Sequence, residues 1–134
     1  MATSILSSVT LTGASFDPEQ VTDALGIEPT KTWRIGEPIQ NTLLKRKHNG
    51  WSVATPRQES LDLGKQLRDL LRELEPKFSS IAALRERFGF DVEVSCAIYI
   101  NGETPSMHLD RETLSMVERL GAEIDFDLYV YIEE

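Results

Sequence analysis

A chain of 134 residues, 40% hydrophobic and 27% charged, has the make-up of one ordinary globular domain, and residues 1–134 read as a single unit. Fourteen Lys and Arg against twenty-two Asp and Glu leave a net charge of −8, which repels nucleic acid and anionic membrane and favours cationic partners. The single cysteine, Cys96, excludes an intramolecular disulfide and a zinc cluster; among Val94, Ala97 and Ile98 it reads as a buried, inert thiol.

Met1 to Phe16 holds no Lys or Arg and no long apolar run, so no secretory leader is read there. No stretch approaches the roughly 18 apolar residues of a membrane span. The expected compartment is the cytoplasm, with no membrane partner.

The first strand signal runs from Ile5 to Gly13, with Ile5, Val9 and Leu11 on one face and Ser8, Thr10 and Thr12 on the other. Asp17-Pro18-Glu19-Gln20 then announces a helix, since Asp17 caps free N–H groups and Pro18 suits the first helical position. Gly26 stops it. Residues 27–57 are rich in turn formers, and Asn49-Gly50 before Trp51-Ser52-Val53-Ala54 reads as a hairpin turn entering a strand.

Leu63, Leu67, Leu70, Leu71 and Leu74 make one apolar stripe of a helix over residues 61–74. Pro76 ends that helix and starts another, lined by Phe78, Ile81, Leu84 and Phe88 and stopped by Gly89. Strict alternation follows twice, at Val92, Val94, Cys96, Ile98, Ile100 and at Ile124, Phe126, Leu128, Val130, Ile132. Both read as antiparallel strands with one face buried against the 61–74 helix. Between them Asp110 caps a helix carrying Leu114, Val117 and Leu120, closed by Gly121.

Phe16-Asp17-Pro18-Glu19 with Leu25-Gly26 parallels Leu109-Asp110-Arg111-Glu112 with Leu120-Gly121. The expected fold is therefore α+β: an antiparallel sheet with helices packed on one face, roughly ferredoxin-like, with two related strand-helix halves.

The succession Phe16-Asp17-Pro18, Leu25-Gly26-Ile27-Glu28-Pro29-Thr30, Thr32-Trp33-Arg34-Ile35-Gly36-Glu37 and Gly50-Trp51 resembles the opening of bacterial domain-of-unknown-function family 4279. The leucine-rich helix and the ending Leu120-Gly121-Ala122 with Ile124-Asp125-Phe126-Asp127-Leu128-Tyr129 resemble its middle and close. The resemblance implies no activity, cofactor or catalytic residue. It does mark Trp33, Gly36 and Trp51 as parts of a pattern.

Charge is unevenly spread. Residues 31–57 hold six cations, Lys31, Arg34, Lys45, Arg46, Lys47 and Arg57, against the one acid Glu37. Trp33 and Trp51 fall among them, a mix that binds phosphate or single-stranded nucleic acid elsewhere and is as readily explained by core tryptophans and a solvated loop. On the last strand the outward row carries Glu123, Asp125, Asp127 and Glu133, and Tyr99, Tyr129 and Tyr131 share that face. Asp125 and Asp127, two apart, are either paired carboxylates for a cation or acid–base work, or a plain solvated face. Acids beside the tyrosines argue against RNA there.

His48 and His108 have no metal-like spacing to another ligand, and no catalytic triad or phosphate loop is present. No cofactor and no metal are expected.

The expected function is a non-enzymatic binding domain, of the kind an acidic inhibitor or immunity protein is toward a cationic protein. Its candidate binding residues are Trp33, Arg34, Gly36, Trp51, Asp125, Asp127, Tyr129 and Tyr131. The alternative is a small-molecule binder or hydrolase built on Asp125, Asp127 and Arg34. A nucleic-acid partner is disfavoured, and a homodimer is left open. One further expectation has residues 31–57 folding across the acidic face, with Arg34 clasping its carboxylates.

Overall fold

The computed structural model describes residues 2–132; Glu133, assigned above to the outer acidic row, lies outside them. The elements follow in chain order as β1 (Ser4–Gly13), α1 (Pro18–Leu25), β2 (Lys31–Trp33), β3 (Asn49–Ala54), β4 (Gln58–Glu59), α2 (Leu63–Leu74), a 3-10 turn (Glu75–Lys77), α3 (Phe78–Phe88), β5 (Asp91–Ile100), α4 (Arg111–Leu120) and β6 (Glu123–Val130). The sheet order is β2-β3-β1-β5-β6, with the short β4 paired to the start of β1.

Strand β1 is antiparallel to both β3 and β5, and β2 is antiparallel to β3. The succession from β1 to β5 is thus the ferredoxin-like strand-helix-strand-strand-helix-strand run, and α4-β6 is a further unit added on the β5 edge. The α+β expectation is borne out, with α-helices gathered on one face.

That face is set by alternation. Ile5, Val9 and Leu11 of β1, Trp51 and Val53 of β3, and Val92, Val94, Cys96 and Ile98 of β5 are buried together with Leu63, Leu67, Leu70, Leu71 and Leu74 of α2. Burial raises the Cys96 thiol to about 11, which keeps it protonated and unreactive at neutral pH. The two related halves are visible at their caps. Asp17 accepts from the Glu19 N–H and Asp110 from the Thr113 N–H, and the stops Gly26 (φ 66°) and Gly121 (φ 73°) both take the left-handed turn that favours glycine.

Three expectations are corrected. Strand β6 runs parallel to β5, not antiparallel, because α4 carries the chain back across the helix layer before β6 begins. The inner row of β6 is not buried: Phe126, Leu128, Val130 and Ile132 are exposed, since α4 packs against α2 and α3 and no helix lies beyond it over the sheet's last strand. On α4 the buried positions are Thr113, Met116, Val117 and Leu120, while Leu114 is exposed.

Asn49-Gly50 is likewise not a turn but the start of β3. The turn comes earlier, in a flap over residues 34–48 in which Gly36 (φ 88°) and Asn41 (φ 63°) take left-handed conformations. Asn49 instead ties strands together, accepting from the Ile35 N–H at 2.9 Å and donating to the Phe16 carbonyl at 2.9 Å.

Candidate functional site

Every second residue of the central strands points away from the helices, and on that side no helix covers the sheet. Apart from Leu6 of β1, its middle is lined by small side chains: Ser8 and Thr10 of β1, Gly50, Ser52 and Ala54 of β3, and Ser95 and Ala97 of β5. Thr10 and Ser52 share a hydrogen bond of 2.9 Å. Aromatic side chains flank this strip on both sides.

One flank is the β2 edge. Trp33 lies opposite Gly50, and its indole rests on that backbone so closely that a Cβ on Gly50 would fall inside the ring. The Arg46 guanidinium sits 4.4 Å and the Lys31 ammonium 5.8 Å from the same ring. Gly36 holds the flap in place through its N–H, which donates to the Arg46 carbonyl at 2.9 Å. Trp51 faces the other way: its ring is fully buried in the core and its indole N–H donates to Thr22 Oγ1 at 3.0 Å. The Gly50-Trp51 pair thus serves both layers at once.

The opposite flank is acidic and aromatic. Tyr99 and Tyr129, partners across β5 and β6, stack with ring centroids 4.9 Å apart. The Arg57 guanidinium lies 3.6 Å from the Tyr99 ring and donates to Ser4 Oγ at 2.8 Å. Along the same face the register sets Glu93 beside Glu123, Ser95 beside Asp125 and Ala97 beside Asp127. Among the described residues no Lys or Arg forms an ion pair with Glu93, Glu123, Asp125 or Asp127.

Loss of water, then the charge and hydrogen bond of Asp125 and the charge of Glu93, raise the Asp127 carboxyl from its ordinary value. This row is repulsive within the protein.

The structure therefore divides the candidates. Asp125, Asp127, Tyr129 and Tyr131 stand exposed at one edge of the sheet, while half-buried Trp33 and exposed Arg34 lie at the other. Four inter-strand steps put roughly 19 Å between those edges. Arg34 reaches neither carboxylate. It binds Asp17 at 2.8 Å, beside the cap of α1, so the expected clasp over the acidic face is corrected. Four of the six cations of residues 31–57 are engaged in other contacts: Lys31 and Arg46 on Trp33, Arg34 on Asp17, Arg57 on Tyr99.

Because the Arg34–Asp17 pair is half exposed, Arg34→Ala is expected to leave the melting midpoint almost unchanged at low and at high salt. A large loss at low salt would restore a structural role for the guanidinium.

The combination of Asp125, Asp127 and Arg34 is not assembled, and the larger clefts lie elsewhere. One is lined by Gln58, Asp62, Lys65, Gln66 and Asp69, another by Arg85, Glu86, Asp91 and Arg119. Among the described residues no group of three or more His, Cys, Asp or Glu is arranged to hold a metal ion. Nor is any helix among them long and apolar enough to cross a membrane.

The sequence reading missed Glu93 and Arg57 as members of this surface. Glu93 is the one outward acid of β5 whose strand partner is also acidic, a relation that only the parallel register reveals.

No curated protein and no solved structure matches this chain. The model of one family, described as a domain of unknown function (DUF4279), matches residues 3–131. With the match running through β1, the Trp33–Gly50 contact, the capped helices α1 and α4 and β6, the chain belongs to the DUF4279 family.

Proposed function

We propose that this chain is a non-enzymatic binding domain that holds a cationic protein segment on the open face of its sheet, working in the cytoplasm. The observation that carries the reading is the row Glu93, Asp125 and Asp127: exposed, close enough to raise the Asp127 carboxyl, and without an ion-paired cation among the described residues. A folded protein gains nothing from such mutual repulsion, whereas an arriving Arg or Lys relieves it. Tyr129, stacked on Tyr99 and itself exposed, offers its free ring face for the stem and guanidinium plane of such a side chain, much as Tyr99 takes Arg57. An inhibitor or immunity-type protein that neutralises a basic partner fits this surface. Its net charge of −8 would speed the encounter.

The test uses a fluorescent deca-arginine peptide and measures anisotropy at rising salt. Binding is expected at about 20 mM salt and should weaken steeply by about 200 mM, as the Debye length shortens. Asp125→Asn with Asp127→Asn should weaken it at least about tenfold while leaving the circular dichroism spectrum unchanged. Equal binding by that double variant, or no binding at low salt, overturns the reading.

A further inference from the structure

Strand β6 ends the sheet, and nothing pairs with its outer edge among the described residues. The Tyr131 N–H donates inward to the Ile100 carbonyl at 3.0 Å. Backbone groups alternate along a strand, so the N–H and C=O groups of Tyr129 and Asp127 also face β5, while those of Phe126, Leu128 and Val130 face outward. The same three residues form the apolar row that no helix covers, with Phe126 36%, Leu128 53%, Val130 63% and the following Ile132 85% exposed.

Leu114 of α4 extends that surface. Arg72–Glu112 and Glu75–Arg119 fix one flank of α4 toward α2 and its 3-10 extension, which lie on the β1 side. At 100° per residue Leu114 belongs to the opposite flank, above the β6 edge, and it is 53% exposed. No Lys, proline or bulge blunts the strand, and its three acids all sit on the outer face.

We propose that a second copy of this chain docks on this edge, pairing β6 antiparallel to β6 about a two-fold axis through Leu128. The register follows from the residues. An axis at Asp127 sets that carboxylate against itself, and an axis at Phe126 sets Asp125 against Asp127. An axis at Leu128 sets Asp127 opposite Tyr129 and Asp125 opposite Tyr131. On the inner face it sets Phe126 opposite Val130, Ile124 opposite Ile132, and Leu128 opposite itself.

An axis at Tyr129 leaves Asp125 without a partner among the described residues and shortens the overlap by two residues. The Leu128 axis alone gives apolar against apolar, acid against phenol, and outward backbone groups in facing pairs through the longest overlap. Closure is complete at two copies, because an isologous contact of this kind uses up both edges.

The pairing stands on the β6 edge and not on the cationic-partner reading, and salt separates the two. Copies of charge −8 repel, so association of the wild-type chain should tighten as salt rises from about 20 to 200 mM, where a cationic ligand would weaken.

Sedimentation equilibrium of the full chain at about 100 μM should show a dimer. Leu128→Lys, a change at an exposed position, should raise the dissociation constant about 100-fold with an unchanged circular dichroism spectrum.

Register is read by cross-linking. In the proposed dimer the two residues at 128 form a hydrogen-bonded pair with Cα atoms about 5.5 Å apart, within disulfide reach. Leu128→Cys should therefore give a covalent dimer on mild oxidation. Val130→Cys should not, because its two copies lie about 13 Å apart along the strands. Buried Cys96 does not compete. A wild-type monomer at that concentration, or cross-linking at 130 in place of 128, overturns the proposal.

Discussion

Trp51→Ala is expected to cost about 3–5 kcal/mol. Trp51 is the largest fully buried side chain, set opposite Leu11 on β1 and enclosed by the helix layer. Its removal leaves a cavity that strands held on both sides cannot collapse into. Thr22 on α1 also loses the donor that its hydroxyl accepts from. Domains of this size are stable by about 5–15 kcal/mol, so the variant should sit near the edge of folding. Urea melts followed by circular dichroism measure the loss. Trp33→Ala, which strips a half-buried ring from the outer face, should cost clearly less. Equal losses for the two would mean that the indole on Gly50, not the core, holds β2 and β3 together.

The elements written by local chemistry were legible before any coordinates. Asp17-Pro18 and Leu25-Gly26 bound α1, Asp110 and Gly121 bound α4, and the leucine stripe marks α2, because caps, stops and helical period depend on residues within a turn or two. What lies across the sheet was not. The alternation in β6 matches that in β5, yet alternation states only that one face is apolar. Whether a helix covers it depends on where α4 lands, and that is set by α2 and α3. The direction of β6 was misread for the same reason, since the period of two is common to parallel and antiparallel strands. Asn49-Gly50 carried a true turn composition, but Asn49 is held by Phe16 and Ile35 and the glycine is needed beneath Trp33.

The candidate surface was half legible. Asp125, Asp127, Tyr129 and Tyr131 share a chain segment, so their common face could be read from spacing alone. Arg34 was matched to them on charge, which fixes no distance: the strand order sends it to the far edge and gives it Asp17. Arg57 on Tyr99 was invisible because residues 57 and 99 meet only through β4 and β1.

Gln66 offers the sharpest contrast between stripe and structure. It falls three residues after Leu63 and four before Leu70, within the apolar face of α2, and it is buried. By composition alone Gln66→Leu should stabilise, adding apolar area and losing no helix propensity. The structure predicts the reverse. Pro56 interrupts the neighbour of β1, so β3 pairs from Ser8 onward and β4 only with Ser4 and Ile5.

Side chains span that break. Thr55 Oγ1 accepts from the Ser7 N–H at 3.0 Å, and Gln66 Nε2 donates to the Ile5 carbonyl at 2.9 Å while its Oε1 accepts from the Ser7 hydroxyl at 2.8 Å. Leucine would leave the Ile5 carbonyl without that donor. The Ser7 hydroxyl would keep only Cys96 Sγ, at 3.9 Å. Each buried polar group so abandoned costs about 1–3 kcal/mol, more than the added methyls return, and a net loss of about 1–3 kcal/mol is expected. In a Ser7→Ala background the same change should cost less by about 1 kcal/mol, because one of the two groups is already gone. Denaturant midpoints of the four proteins in that cycle decide the matter. A Gln66→Leu chain more stable than wild type would show that α2 needs only its apolar stripe, and that the break in the sheet is satisfied by water.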